Sequence, residues 1–348
     1  MHRQDRKEGS IVDALDLDTP ALYVDLDVLE RNIARMQEQC RAWGVALRPH
    51  VKTHKIPEIA KLQLEAGAIG ITVAKLGEAE VLPGDDVLVA YPLLKPKLPR
   101  LRALAKKRRV KVAVDSVDVA RDVHGKGIET LVEIDVGVGR TGAQSPEQAV
   151  EIAQACSDFQ GIFYWPSWLD EAGFRAACVK IDAVLDALSA SGFEARIVSG
   201  GSTPGAAKTP LIPRTTEIRP GTYVFYDASS LAAQVCVEAD CALRVLTTVV
   251  STAVPGQCVI DAGSKTFSSD QTVGAGTFGH FIGRAWTMRK LNEEHGYVEI
   301  PGPAHVGEKV WVVPSHCCAT VNLHDEIWYG RRGRVEGSWK VAARGKVR

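Results

Sequence analysis

A lysine set among histidines is the chain's first candidate for covalent chemistry. In the stretch Leu47-Arg-Pro-His-Val-Lys-Thr-His-Lys55, Lys52 has His50, His54 and Lys55 as close neighbours. Hydrogen-bond donors and positive charge near an amine can lower its pKa and make it a nucleophile toward carbonyl carbon. A lone lysine there would be explained as a solvated loop residue, but these neighbours favour the chemical interpretation.

A histidine and a cysteine two positions apart are a candidate metal site. His316 and Cys318 lie in the stretch Val313-Pro-Ser-His-Cys-Cys-Ala-Thr-Val-Asn-Leu-His-Asp325. In an extended chain, residues two apart share one face, so this imidazole and thiolate can point at one metal ion. The pair suits zinc and would leave coordination positions for water and substrate. Chance is the competing explanation for an isolated pair of this kind.

Two glycine-containing turns are candidates for binding an anion. Gly201, Ser202 and Thr203 follow one predicted strand, and Gly221 with Thr222 follows another. Glycine lets backbone N–H groups approach an anion closely, and the hydroxyl groups add further donors. A tight structural turn is the alternative interpretation for each.

The elements that must position these residues alternate between short apolar strands and amphipathic helices. The predicted strands are 19–27, 44–48, 69–74, 87–91, 110–115, 130–135, 161–164, 195–199 and 223–226. The predicted helices lie near 57–66, 76–82, 97–107, 146–157 and 170–190. About 200 residues of such units fit a TIM-type barrel, and a doubly wound sheet is the competing architecture. In both folds ligands are held where strands end, which is where Lys52 is expected.

The pattern changes after Asp240, where β-branched strands are separated by turn residues at short intervals. This indicates an all-β domain. The predicted fold class is therefore α/β, with an N-terminal TIM-type (β/α)8 barrel and a C-terminal all-β domain. We expect residues 1–20 to form an N-terminal segment that packs on the β domain. Residues 21–238 would form the barrel, and residues 239–348 the β domain with its metal site.

Composition excludes several classes of protein. Lysine plus arginine and aspartate plus glutamate number 42 each, so no charge bias favours a nucleic acid or an anionic membrane as partner. The N-terminal residues are charged, so we expect no signal peptide, and no apolar run reaches the roughly 20 residues of a membrane span. The eight cysteines form no C-x-x-C pair, which is typical of reduced thiols in a cytoplasmic protein.

Several of these motifs resemble those of the D-threonine aldolase and D-serine dehydratase family, pyridoxal-phosphate (PLP) enzymes with the alanine-racemase-type fold. The resemblance rests on the segment around Lys52, on the Gly-Gly-Ser-Thr and Arg-Pro-Gly segments, and on a strand end at 132–142. It implies that Lys52 forms the Schiff base with PLP. The cofactor contacts that it implies are Lys52, His50, Arg140, Tyr164, Gly201, Ser202, Thr203, Arg219, Gly221 and Thr222.

The resemblance also implies roles for single residues and contains one departure. The family's metal segment corresponds to 313–325, where dehydratases tend to show His-x-Cys and D-threonine aldolases His-Cys-Asp, so Cys318 favours dehydration. Zinc is the expected metal, with Mn²⁺ or Mg²⁺ as alternatives. Arg219 corresponds to an arginine that faces the pyridine nitrogen in alanine racemases. Many relatives follow the tyrosine that corresponds to Tyr164 with glycine and histidine, whereas this chain has Trp165 and Pro166.

The resulting hypothesis is a PLP- and zinc-dependent lyase that converts a D-3-hydroxy amino acid to a 2-oxo acid and ammonia. D-serine, D-threonine and 3-hydroxyaspartate are the expected substrates; Lys52 would remove the α-proton, and the metal would act as a Lewis acid on the hydroxyl group. The alternative on the same scaffold is aldol cleavage to glycine and an aldehyde. An amino-acid racemase would need no His-x-Cys pair, and PLP-carrier proteins are shorter and lack the β domain. Because racemase-type enzymes pair head to tail, a homodimer is expected.

Overall fold

The computed structural model describes residues 12–166 and 170–348. It divides into two compact units. The first, the barrel unit, consists of Asn32–Val224 with Ala342–Arg348. The second, the β unit, consists of the described residues up to Arg31 together with Phe225–Val341. The sequence predicts different boundaries, with the barrel domain beginning at residue 21 and the β domain at residue 239. These domain boundaries stay predictions.

Eight parallel strands form the sheet of the barrel unit. In spatial order they are Ala46–Leu47, Glu217–Ile218, Ile197–Gly200, Phe159–Tyr164, Ile128–Ile134, Arg109–Val114, Asp86–Val89 and Ile71–Val73. A parallel bridge between His50 and Thr72 joins the two ends of this order, and Thr72 N–H donates to the Pro49 carbonyl at 2.8 Å. Joined ends are what a barrel requires, so the predicted barrel is confirmed against the doubly wound alternative.

Helices follow most of these strands. They are Pro57–Glu65, Leu76–Ala79, Leu98–Ala105, Val117–Asp122, Pro146–Ala155 and Glu171–Ala190, with 3-10 helices at Val51–Thr53, Lys95–Lys97, Ala206–Leu211 and Thr222–Val224. The helix Leu26–Ala42 precedes the first barrel strand. Ser116 and Ser145 each accept a backbone N–H in the first turn of their helices, as N-cap residues do. Phe174, Ile181 and Leu188 follow one another at intervals of two turns and are buried, so this face of the longest helix packs into the core.

The β unit contains a ten-stranded mixed sheet. Its main path runs Val12–Asp13, Arg334–Lys340, Glu326–Arg331, Ala21–Asp25, Leu243–Ser251, Gln257–Ile260, Gly296–Glu299 and Thr287–Leu291, with His280–Phe281 paired to Lys309–Val313 and that strand to Leu243–Ser251. Short helices lie at Ala228–Ala232, Ser264–Phe267 and Cys317–Val321, and 3-10 helices at Ala14–Asp16 and Glu238–Asp240.

The sequence predicts the strand Ala21–Asp25 at the start of the barrel, but the strand lies in the sheet of the β unit. It pairs antiparallel with Leu243–Ser251 and parallel with Glu326–Arg331, so both of its edges are hydrogen-bonded within the sheet of the β unit. A strand that runs into a helix looks the same in sequence whichever sheet it joins. Of the predicted N-terminal segment, Val12–Asp13 pairs with the strand Arg334–Lys340, while residues 1–11 lie outside the described residues.

At the end of the barrel unit, the structure differs from the sequence prediction in two further ways. The predicted strand 223–226 begins in a 3-10 helix, Thr222–Val224, and the strand that completes the sheet here is the unpredicted pair Glu217–Ile218. Within the described ranges, no helix is both long enough and apolar enough to cross a membrane.

Candidate cofactor and metal sites

Lys52 lies in the short 3-10 helix Val51–Thr53, directly after the bridge that joins the two ends of the barrel sheet. Its side chain is exposed, while Val51 and Thr53 on either side are buried. The lysine is therefore presented to solvent from an anchored turn beyond the carboxyl end of the strand Ala46–Leu47, as predicted.

His54 and Lys55 have structural partners. His54 Nδ1 accepts the backbone N–H of Ile56 at 3.0 Å, and its Nε2 lies 3.2 Å from Gln63 Oε1. Lys55 Nζ lies 3.3 Å from the buried carboxylate of Glu78. These contacts commit both side chains to the fold, so the crowding around Lys52 that the sequence suggested comes from other residues.

His50 is the histidine that shares its surroundings with Lys52. Burial lowers the pKa of His50 well below its usual value, and the positive charge of Lys52 adds to this effect. The charges of Arg219 and Arg140 act in the same direction. His50 Nδ1 is buried and, among the described residues, has no hydrogen-bond partner. The barrel thus brings these four predicted site residues together around a neutral imidazole with an unused nitrogen.

Arg219 is buried and held on three sides. Its Nη1 donates to Ser199 Oγ at 2.7 Å, and its Nη2 donates to the backbone carbonyl of Tyr164 at 2.7 Å. The guanidinium lies 3.7 Å from the centre of the Phe163 ring. Burial lowers the pKa of Arg219 to about 10, a value at which the guanidinium is still a cation at neutral pH.

Positive charge at this place is not balanced by ion pairs. In the part of the chain that the structure describes, Lys52, Arg140 and Arg219 form no ion pair with a carboxylate. Arg140 instead lies over the Trp165 ring at 4.4 Å. Arg219 is a buried cation without an ion-pair partner, which is costly, and Lys52 and Arg140 add exposed positive charge near the same histidine. This group of side chains therefore favours an anionic ligand.

Sequence reasoning missed one buried carboxyl group here. Glu133 accepts a hydrogen bond from Thr141 Oγ1 at 2.7 Å, and burial raises its pKa while the charges of Arg140 and Arg219 lower it. A glutamate between the apolar residues Val132 and Ile134 near the end of the strand Ile128–Ile134 was the available indication, since a buried strand usually has a continuous apolar run.

Tyr164 is directed into the protein. Its hydroxyl lies 2.6 Å from Thr215 Oγ1, and burial raises the pKa of the phenol to about 12. Its ring covers Gly200, where a Cβ atom would lie only 2.0 Å from it. The predicted contact of Tyr164 with the cofactor stays a prediction, while its backbone carbonyl has the defined task of fixing Arg219.

The two predicted anion-binding turns meet each other. Thr203 Oγ1 accepts the backbone N–H groups of Gly221 at 3.1 Å and Tyr223 at 3.2 Å. A Cβ atom on Gly221 would lie 2.7 Å from Thr53 Oγ1, so the turn needs glycine to approach the Lys52 helix. The N–H of Gly221, predicted to donate to a phosphate, is engaged by Thr203, whose own hydroxyl proton remains to be donated.

The remaining members of this predicted group lie in the same turns. Gly201 has φ +82°, a backbone conformation that favours glycine, and a Cβ there would meet Ile218 at 2.7 Å. Ser202 is buried and its Oγ accepts the N–H of Gly205 at 3.2 Å. Thr222 is half-buried at the start of its 3-10 helix. An orphaned imidazole nitrogen, unpaired cations and a glycine-lined cradle together fit a phosphate-bearing cofactor.

His316 and Cys318 lie at the start of a short helix. His316 is the N-cap of Cys317–Val321, and Cys318 stands in its first turn, so the segment is not extended as predicted. The two side chains still meet: a hydrogen bond with Cys318 is the largest cause that raises the pKa of His316 to about 9. Cys317 is buried and its backbone N–H donates to Asp227 Oδ2 at 3.3 Å.

The helix Ala228–Ala232 holds this turn in place. Ala228 N–H donates to the carbonyl of Pro314 at 2.9 Å, and Ser229 Oγ donates to that of Ser315 at 2.9 Å. Farther along, His324 Nε2 lies 3.1 Å from the carbonyl of Thr266. Across residues 12–166 and 170–348, no three histidine, cysteine, aspartate or glutamate side chains are grouped to hold a metal. One imidazole and one thiolate remain a donor pair that suits zinc.

Two known protein families match this chain, one over its N-terminal part and the other over its C-terminal part. Residues 24–229 match the family described as "Alanine racemase, N-terminal domain", and residues 242–329 match "Putative serine dehydratase domain".

Individual proteins match over nearly the whole chain. A 3-hydroxy-D-aspartate aldolase of Paracoccus denitrificans (strain Pd 1222) is 35% identical, covering 96% of this chain and 94% of that protein. A D-threo-3-hydroxyaspartate dehydratase of Delftia sp. (strain HT23) is 34% identical, covering 88% and 92%. Among solved structures, a D-threonine aldolase from Filomicrobium marinum has a TM-score of 0.87 at 31% identity, covering 96% of this chain and 98% of that one.

Proposed function

The chain belongs to the family of D-threonine aldolases and D-serine dehydratases, and we propose that it is a PLP-dependent lyase acting on a D-3-hydroxy amino acid. The observation that carries the proposal is the group of His50, Lys52, Arg140 and Arg219. It combines an exposed primary amine with cations that have no carboxylate partner. A phosphate-bearing aldehyde cofactor needs both.

PLP supplies an electron sink that weakens the bonds at the α-carbon of an amino acid. Lys52 Nζ is the group that would hold the cofactor and the base that would take the α-proton. Arg140 and Arg219 would bind anionic groups of the ligands. Thr203 would donate its hydroxyl proton to the phosphate, with Gly201, Ser202, Gly221 and Thr222 around it.

His316 and Cys318 are the residues that would hold a metal ion, Zn²⁺ first and Mn²⁺ or Mg²⁺ as alternatives. A metal ion there supplies Lewis-acid activation of a hydroxyl group. The backbone around this pair is fixed in position, because Asp227, Ala228 and Ser229 form hydrogen bonds with the backbone on both sides of His316.

We propose dehydration as the main reaction. The substrate loses water, and hydrolysis of the unsaturated product gives a 2-oxo acid and ammonia. The thiolate of Cys318, in the place where the resembling aldolases tend to have aspartate, supports this choice. Aldol cleavage to glycine and an aldehyde is the second candidate, supported by the 3-hydroxy-D-aspartate aldolase among the relatives.

We further propose a homodimer in the cytoplasm that acts on small D-amino acids. The support for the compartment is the cysteine usage: all eight cysteines are free thiols, without a disulfide. The support for the dimer is the resemblance to racemase-type enzymes. Sedimentation of the purified protein tests the dimer, and a monomeric active enzyme contradicts it.

A product assay tests the function. The purified protein with PLP and zinc is given D-serine, D-threonine and D-3-hydroxyaspartate, and ammonia, 2-oxo acid, glycine and aldehyde are measured. Ammonia with an equal amount of 2-oxo acid is expected. Glycine with an equal amount of aldehyde supports the second candidate. Neither pair of products from any of the three substrates contradicts the proposed lyase.

A further inference from the structure

Four buried polar side chains run in a line through the barrel unit and end at Arg219. Arg48 Nε donates to both carboxylate oxygens of Glu217 at 3.0 Å. Ser199 Oγ donates to Glu217 Oε1 at 2.6 Å, and Arg219 Nη1 donates to Ser199 Oγ at 2.7 Å. None of the four is more than 4% exposed. Water therefore does not replace any of these contacts.

The order of donors in this line is fixed by chemistry. A carboxylate only accepts hydrogen bonds, so the single proton of Ser199 Oγ must go to Glu217. The lone pairs of the same oxygen are then free to accept from Arg219, which only donates. Ser199 and Glu217 are partners in the parallel ladder, and Glu217 and Arg219, two residues apart, face the same side of their strand.

The far end of the line is anchored by ion pairs. Arg48 Nη1 lies 2.5 Å from Asp86 Oδ1, and Lys111 Nζ lies 2.8 Å from Asp86 Oδ2 and 3.1 Å from Glu129 Oε2. The charge of Glu217 is therefore balanced by Arg48. Arg219 donates hydrogen bonds to Ser199 Oγ and to the carbonyl of Tyr164, while the charges of Glu217 and Glu133 act on it without forming an ion pair.

We propose that Ser199 is a positioning residue for Arg219, with Glu217 fixing the direction of its hydroxyl group. The arrangement commits one N–H on each terminal nitrogen of Arg219 and leaves the remaining guanidinium donors for a ligand. Because Ser199 is neutral, it orients the cation without neutralising it. This inference rests on the proposed function, in which the ligand is PLP.

The matched control is a second buried hydroxyl group of the same sheet. Thr130 is fully buried, and its Oγ1 donates to the carbonyl of Asp158 at 2.8 Å, away from Arg219. Ser199→Ala and Thr130→Ala each remove one buried hydroxyl. Ser199→Cys keeps the size of the side chain with a weaker donor and acceptor.

The test measures PLP affinity and the absorption band of the bound cofactor in the full-length holoenzyme, with urea unfolding alongside. For Ser199→Ala we expect roughly tenfold weaker PLP binding and a displaced band, because a hydrogen bond to a charged group is lost. Ser199→Cys should fall between Ser199→Ala and the wild type. Thr130→Ala should lower stability while its PLP affinity and band match the wild type.

Several outcomes decide the matter. Equal PLP affinity and an unchanged band in folded Ser199→Ala overturn the positioning role. An effect of the same size in Thr130→Ala also overturns it, since any buried hydroxyl would then act alike. If Ser199→Ala does not fold, Ser199→Cys decides alone by the same two measurements. A wild type that binds no PLP overturns the proposed function together with this inference.

Discussion

The two candidate sites are built in opposite ways. His316 and Cys318 stand two positions apart on one helical turn, and a hydrogen bond already joins them. His50 and Lys52 reach Arg140 and Arg219 only through the barrel, although up to about 170 residues of sequence separate them. A local site can be proposed from spacing, whereas a site assembled by topology needs the fold.

The sites also differ in their charges. Next to His50, the barrel unit gathers cations that form no ion pair within the described chain. At His316, the β unit brings a base and a thiol together, and the buried carboxylate of Asp227 accepts a backbone N–H beside them. We propose that the first site binds an anionic ligand and that the second binds a metal cation. Each difference can be tested by a substitution that affects one unit.

The largest effect is expected for Lys52→Ala. Loss of the amine that we propose holds the cofactor and takes the α-proton should lower the rate of product release at least about 10³-fold. Borohydride reduction should no longer attach the cofactor covalently, and folding should be unaffected because the side chain is exposed. Lys61→Ala is the control, since Lys61 is 72% exposed and, within the described residues, pairs only with Glu65 on its own helix. Label that persists in Lys52→Ala would place the cofactor on another lysine.

The second-largest effect is expected on the unfolding free energy when a buried ion pair of the barrel unit is broken. A more exposed ion pair of the β unit serves as the comparison. Arg48→Met leaves the buried carboxylate of Glu217 without its cation and should cost roughly 3–5 kcal/mol of unfolding free energy. Arg331→Met removes an exposed arginine from Asp27 and Glu30 and should cost about 1 kcal/mol or less. Urea unfolding measures both. Equal costs would mean that the barrel tolerates the unpaired carboxylate.

Cys318→Asp tests the metal pair. A harder carboxylate ligand should weaken zinc binding relative to Mn²⁺ or Mg²⁺ and reduce ammonia release relative to glycine. Loss of a group that only orients a ligand costs about 10- to 100-fold in metal affinity, so replacing the ligand itself should cost at least as much. Competition with a chromogenic chelator measures affinity, and PLP content should not change. Wild-type affinity in this variant would exclude Cys318 as a ligand.

The sequence predicted most of the fold because its strands and helices carry clear periodicity. It misplaced Ala21–Asp25, since the strand-to-helix pattern there is shared by both sheets. It also missed Glu217–Ile218, because two residues are too few for an alternating pattern. Charged residues such as Arg48 and Lys111 in or beside the barrel strands could be counted from the sequence, but their partners come from other strands.

The candidate site residues divide along the same line. Lys52, His316 and Cys318 could be proposed from the sequence because the chemistry of each is suggested by its immediate neighbours, and their roles stay predictions. Ser199 ends a predicted strand, and nothing in its sequence neighbourhood points to Arg219, twenty residues away. Its partnership exists because two neighbouring strands are in register, and a single sequence does not contain that register.

The smallest effect concerns the unfolding free energy as a function of pH. The pKa of His50 in the folded protein lies well below its ordinary value of 6.5, because burial and neighbouring cations disfavour the charged ring. The unfolded chain therefore binds a proton below pH 6.5 that the folded chain does not bind. Stability from this residue is fully present above pH 6.5 and falls as the pH decreases, by about 1 kcal/mol between pH 6.5 and 5.5.

His50→Asn isolates this contribution, since it removes the titrating ring and keeps a polar side chain. Urea unfolding of both proteins at pH 6.5 and 5.5 should show that the wild type loses about 1 kcal/mol more than the variant between these two values. Parallel curves for His50→Asn and the wild type would mean that His50 can be protonated in the folded barrel, and the excess of positive charge inferred there would then be wrong.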